Sequence, residues 1–433
     1  MIRSGKKKEL SGENPFSNFV RADIPGRFNE LDVLMRQEDW LQASAQSEEI
    51  IPPYEVLIHP SSACNLACAW CIGDHVPIIA KSGSLINLVD ASKTAEETLP
   101  NILSNVQNME SLIQGILDYK KKVSFLKNGK MVEREFGINT ISFSGLIGEP
   151  LSSKASVLKA MNMAVESGKR VGIFTNGVLM DQRVIDVFSR IDYVHLSLDA
   201  STADVYGWLK FGDAKKGEDR FHKAVENLSK LVSKRNGDPS SSLRVNTSFI
   251  LYPENYSQVY DAAKLVKEIG VDCFRVKTDN SGSRVLSPSQ VLECKALLDK
   301  IEQDLVDEDF DFIRIHTFDR GVDFDRNFSK CRITDMMAAV GSDGCLYPCN
   351  YHPRPGGHNY GSAVANSFSD IWEGELRLSM KCGMPKICPD VCDPFKTRSN
   401  ALLERFDSIS YEVGQEKAFG YVKALSEELN IER

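Results

Sequence analysis

The chain has 433 residues, more than one compact domain usually needs. Its 42% hydrophobic and 26% charged residues are an ordinary globular make-up that excludes a disordered or fibrous protein. The 52 Lys+Arg against 60 Asp+Glu leave a net charge of −8, so the surface offers no general cationic footprint to nucleic acid or anionic lipid.

The N-terminal residues 1–52 are polar, with Pro15, Pro25 and Gly26 as punctuation, and read as an extension carrying one helix near Glu30–Gln42. They contain no apolar signal core, and no run of the chain is apolar enough to span a bilayer. A cytoplasmic chain with reduced thiols is expected. From Tyr54, strand-like runs alternate with amphipathic helices. The runs are Glu55–His59, Thr140–Ser144, Arg170–Thr175, Tyr193–Leu198, Arg244–Leu251, Cys273–Lys277 and Phe312–His316. This alternation predicts βαβ units and a parallel sheet, here a partial β/α barrel over 53–320 with its chemistry at the C-terminal strand ends. Residues 75–138 exceed what one crossover needs. This insertion carries a helix near Met109–Lys120 and a hairpin turned at Asn128-Gly129, and suits a lid, a partner surface or decoration.

After residue 320 the alternation stops. Cysteines, prolines and turns dominate 321–433, which reads as a smaller metal-dependent unit with a helix near Phe368–Lys381 and a closing helix from Gly414 to Asn430. The fold class is therefore α/β, a partial (β/α)6 barrel with a smaller C-terminal domain.

The cysteines carry the chemistry. Of 11, three lie within Cys64–Cys71 and six within Cys331–Cys392. In a reduced chain this clustering points to metal or redox work, not disulfides. Cys64, Cys68 and Cys71 are spaced C-x3-C-x2-C directly after the first strand. Three thiolates with no fourth nearby suit a [4Fe–4S] cluster with one iron open, whereas zinc wants four protein ligands.

This loop, with Trp70 before its last cysteine, resembles the cluster loop of radical S-adenosylmethionine (SAM) enzymes. Ser144-Gly-Leu-Ile-Gly-Glu-Pro150 is similar to the family's Gly-Gly-Glu-Pro turn, departing from it at Ile147. The resemblance implies that Gly148 and Glu149 receive the SAM ammonium. Asn176, Ser197 and Asp199 match ribose- and carboxylate-contacting positions, and Asn246 is a further ribose candidate.

In the second group, Cys331, Gly344 and Cys349 fall in the pattern C-x12-G-x4-C. Ala339–Cys349 reads as a hairpin turned at Asp343-Gly344, and Cys388 and Cys392 follow. This order resembles the SPASM and Twitch extensions of radical SAM enzymes, and implies one auxiliary [4Fe–4S] cluster on Cys331, Cys349, Cys388 and Cys392, with Cys345 and Cys382 as alternates. A zinc ribbon is the rival for this region. His352 and His358 lie nearby but read as loop residues. Cys294 falls on an apolar helical face, Cys273 opens a strand where it is either core or a hydrogen donor, and Arg275 and Asp279 are placed to reach a substrate.

The resemblance implies reductive cleavage of SAM to a 5′-deoxyadenosyl radical, with electrons from a flavodoxin or ferredoxin. The radical abstracts hydrogen from a small polar metabolite of carbohydrate, aminocyclitol or nucleoside type. The alternatives are a peptide-modifying maturase and, in another class, a non-catalytic iron–sulfur or zinc protein. The short extension before the first strand favours the metabolite, and neither nucleic acid nor membrane is expected as a partner.

Overall fold

In the computed structural model the described residues are 14–22, 24, 29–68, 71, 99–145, 148–389 and 392–431. All seven expected strands form, as β1 (Glu55–Ile58), β4 (Thr140–Phe143), β5 (Arg170–Thr175), β6 (Tyr193–Ser197), β7 (Arg244–Leu251), β8 (Cys273–Thr278) and β9 (Asp311–Arg314). They pair in parallel, in the order β1-β4-β5-β6-β7-β8-β9. Side chains alternate across each strand. Val171, Ile173, Val194, Leu196, Phe274 and Val276 face the surrounding helices and are fully buried or nearly so.

The opposite, inward face is polar: Glu55, Thr140, Arg170, His195, Asn246 and Lys277 line the barrel's interior. A barrel whose inside were only structural would fill with branched apolar residues. This one is built to hold something polar.

The insertion supplies the helix Val106–Asp118 and the hairpin β2 (Lys120–Lys127) and β3 (Lys130–Gly137). Asn128 (φ 51°) and Gly129 (φ 70°) make the two-residue turn read from their identity. Its first part, 75–98, lies outside the described residues.

The C-terminal unit joins the barrel sheet directly. Strand β10 (Met337–Val340) pairs in parallel with β1, matching Ile58 with Val340. It then pairs antiparallel with β11 (Cys345–Tyr347), which pairs with β12 (Gly361–Ser362). The expected hairpin at Asp343-Gly344 is thus present, with Gly344 at φ 72°.

Three helix predictions need correction. The extension forms two helices, Glu30–Arg36 and Glu38–Gln46, broken at Gln37. The helix expected over Phe368–Lys381 is likewise two, Phe368–Trp372 and Glu375–Gly383. A 20-residue helix, Pro394–Val413, capped by Asp393, was not anticipated. With the closing helix Gln415–Glu428 it builds a second apolar core that takes in Leu31 and Leu34 of the extension and Val123 and Phe125 of the hairpin.

Candidate active site

The cysteine loop leaves the C-terminal end of β1 and is tied down from three sides. Ser62 N–H donates to Asn101 Oδ1 at 2.8 Å and Ser62 Oγ to the Leu99 carbonyl at 2.9 Å. Glu149 N–H donates to the Ala63 carbonyl (2.8 Å), and Ala67 N–H to the Lys210 carbonyl (3.0 Å). Asn176 Nδ2 bonds Asn65 Oδ1 at 2.8 Å. Gly148, at φ 122°, comes so close that a Cβ there would stand 2.3 Å from the Ser61 carbonyl oxygen, so glycine is required at this crossing.

Cys64, Cys68 and Cys71 are half-buried, and none of the 11 cysteines is in a disulfide. Burial pushes the Cys64 thiol up to about 12, the Leu66 N–H opposing and the Glu149 and Cys68 charges adding. A thiol so placed keeps its proton until a metal displaces it.

The three cysteines share a cavity of about 160 Å³ with Gly148, Glu149, Asn176 and Ser197. The Glu149 carboxylate accepts from Thr175 Oγ1 (2.5 Å), Asn176 N–H (2.9 Å) and Leu151 N–H (3.3 Å). Burial nevertheless raises its pKa to about 7. A buried carboxylate held by three donors is ready for a cation, and an ammonium group fits that need.

Asp199 (φ 61°) lies one step further out. It accepts from Lys210 Nζ at 2.5 Å and Ile250 N–H at 2.8 Å. It borders a second cavity, of about 400 Å³, together with Cys68 and Cys71. Asn246 is not brought to the cysteines. It lines a third cavity, of about 420 Å³, toward the N-terminal strand ends, with Glu55 and Arg170. On β7 it is Ser248, not Asn246, that reaches the cavity of Cys68 and Cys71. Trp70 lies outside the described residues. Cys294 is core, 0% exposed, whereas Cys273 is 1% exposed and borders none of these cavities, so geometry gives no support to a hydrogen-donor role for it.

A separate small cavity, of about 30 Å³, is lined by Cys331, Cys349, Cys388 and Cys392. Neither alternate is there: Cys382 is exposed, and Cys345 sits on β11 with its N–H on Asp343 Oδ1. His352, read from sequence as a loop residue, lines the same cavity, and among the described residues neither of its buried ring nitrogens has a hydrogen-bond partner. Burial, then the Arg354 charge, lowers its pKa to about 3. Among the described residues no three His, Cys, Asp or Glu side chains close on a single ion, whereas a multi-iron cluster keeps its ligand sulfurs further apart. The Tyr351 ring borders both this cavity and that of Cys68 and Cys71, and its hydroxyl accepts from Asn280 Nδ2 at 3.0 Å.

A three-thiol loop over the C-terminal strand ends of a polar-lined parallel barrel defines an iron–sulfur β/α-barrel protein. More particularly, residues 58–266 match the model of the radical SAM superfamily. It is 24% identical, over 326 residues, to the tungsten-containing aldehyde ferredoxin oxidoreductase cofactor-modifying protein of Pyrococcus furiosus, covering 66% of this chain and 83% of that one. Its fold is similar to that of Streptococcus suis SuiB bound to precursor peptide SuiA (TM-score 0.51, 15% identity, 90% of this chain and 80% of that one). It is also similar to native anSMEcpe with bound AdoMet and Cp18Cys peptide (TM-score 0.50, 18% identity, 87% and 100%). Among the described residues no helix is long and apolar enough to cross a membrane.

Proposed function

We propose that Cys64, Cys68 and Cys71 hold a [4Fe–4S] cluster whose open iron binds SAM, and that the barrel interior holds the substrate. The observation that carries this reading is the convergence of those thiols with Gly148, Glu149 and Asn176 on one cavity at the strand ends. When bound, cluster and SAM supply the one-electron chemistry that ends in hydrogen-atom abstraction from an unactivated C–H bond. The chain's own residues orient and enclose. Glu149 offers its buried carboxylate to the SAM ammonium, and Asn176 holds the cysteine loop through Asn65. Gly148 lets the turn approach that loop. Ser197 closes the same cavity, with Ser248 beside it at 3.4 Å.

In this reading 53–320 form the radical-generating barrel, preceded by the extension 1–52. In the unit 321–433, Cys331, Cys349, Cys388 and Cys392 would hold an auxiliary [4Fe–4S] cluster, which would supply electron acceptance or relay. A flavodoxin- or ferredoxin-type protein supplies the reducing electron. The substrate is a small polar metabolite, a reading supported by the polar side chains Arg170, His195, Asn246, Arg275 and Lys277 among those that line the barrel cavities. A peptide substrate is the second reading. It is favoured by the likeness in fold to SuiB and anSMEcpe, both solved with peptides bound.

Anaerobic reconstitution followed by dithionite and SAM tests the core of the proposal. Methionine and 5′-deoxyadenosine are expected from the wild type and not from Cys64→Ala. Absence of 5′-deoxyadenosine from the wild type overturns it.

A further inference from the structure

The inside of β8 presents two cations. Arg275 and Lys277, two residues apart on one face of the strand, both border the upper cavity of about 400 Å³ and the lower one of about 420 Å³. The two cavities share these residues, with Phe174 and His195. Lys277 has neither an ion pair nor a hydrogen bond among the described residues.

The carboxylates on the same walls make their hydrogen bonds elsewhere, although the Asp393 charge acts on both cations and the Asp199 charge on Lys277. Asp199 is paired with Lys210 at 2.5 Å. Asp279 is turned into its own loop, accepting from Ser281 Oγ (2.7 Å), Ser283 Oγ (3.1 Å) and Arg284 N–H (3.1 Å). Glu55 accepts from Ser142 Oγ at 2.6 Å, and Asp393 caps the helix Pro394–Val413 through Phe395 N–H at 3.0 Å. Positive charge is in excess on the lower cavity's walls, where Arg170, Arg275, Lys277 and Lys396 outnumber Glu55 and Asp393, and an excess of buried cations is stabilised by an anion that arrives with the ligand. Asn280 and Asn350, on the same walls, add neutral donors.

We propose that the substrate carries an oxyanion, a carboxylate or a phosphate, which Lys277 and Arg275 bind inside the barrel. The word substrate rests on the radical SAM reading above, whereas the anion site stands on the cavity alone.

Calorimetric titration of the reconstituted full chain with inorganic phosphate, pyrophosphate and tricarballylate, with and without saturating SAM, tests it. Saturable binding is expected, weakened roughly ten- to a hundredfold in Lys277→Met, the size of one lost charge-assisted contact. Lys277→Gln should behave alike, and decides the matter if the Met variant does not fold, while Lys277→Arg should recover most of the affinity. Preference for phosphate and pyrophosphate assigns a phosphorylated substrate; preference for tricarballylate assigns a carboxylate. Failure of all three probes to bind, equal binding by the uncharged variants, or displacement of the anion by SAM overturns the inference. The 5′-deoxyadenosine assay is read separately. Its failure alongside Lys277-dependent binding sinks the enzymatic reading and leaves the anion site, whereas the opposite pair of results sinks only the anion site.

Discussion

His316, just beyond β9, accepts the Thr278 backbone N–H on its Nδ1 at 2.9 Å, with Thr278 Oγ1 at 2.7 Å from the same atom. Accepting that N–H fixes the ring as neutral, with its proton on Nε2. Burial, then the charges of Lys277 and Arg398, hold its pKa well below 6.5. A base whose folded pKa is depressed favours the folded state fully above its unfolded value, and that contribution is lost as pH falls below it. Wild-type stability should therefore decline from about pH 6.5 downward, by at most ~1.4 kcal/mol per pH unit from this group. His316→Asn keeps an acceptor near Nδ1 and cannot titrate, so denaturant midpoints between pH 7 and 5 should fall less steeply for it. An equal slope would exclude His316 as the source. At this scale the cysteine loop and Glu149 were legible because their spacing is local in the chain. Asn246, a ribose candidate from sequence, lines the lower cavity, for a reason that alternation alone does not reveal. Alternation along β7 tells that Asn246, Ser248 and Ile250 share the inner face, but not how high each stands along the barrel.

Among elements, the C-terminal cysteines make the sharpest forecast. Alanine at Cys331, Cys349, Cys388 or Cys392 should lower iron from about eight to about four atoms per chain. Alanine at Cys345 or Cys382, which do not border that cavity, should leave the count unchanged. Iron analysis with electron paramagnetic resonance decides, and loss of iron in Cys345→Ala would redraw the ligand set. The seven parallel strands were readable as Val/Ile/Phe runs between helical stretches, because burial on one face demands them. The helix Pro394–Val413 escaped notice. Its start signal, Asp393 then Pro394, is clear, but after Pro394 its buried apolar side chains, Leu402, Leu403, Phe406 and Ile409, begin only at its ninth residue. No local pattern could announce that β10 would pair with β1, since that pairing joins residues nearly three hundred positions apart.

For the molecule as a whole, chain ends and insertion meet in one apolar core. Phe419 of the closing helix lies 4.6 Å, ring to ring, from Phe406, and Phe406 lies 6.3 Å from Phe16 near the start of the described chain. Phe419→Ala should cost about 3–5 kcal/mol, the usual range for emptying a buried aromatic site. Hydrogen exchange should quicken in the helices Glu30–Arg36 and Glu38–Gln46, which share that core. Unchanged exchange there would mean that the two ends are stabilised independently.

The parallel seam between β1 and β10 sets the gauge between the two cysteine sites. The loop carrying Cys64 leaves the end of β1, and the turn before Cys345 and Cys349 leaves the end of β10, with Ile58 opposite Val340. A ladder of peptide hydrogen bonds slides only in whole residues, and only even steps keep each face in place. The register of Ile58 opposite Val340 can therefore change only in jumps of about 7 Å, two residues of strand rise, and that register fixes where each loop leaves the sheet.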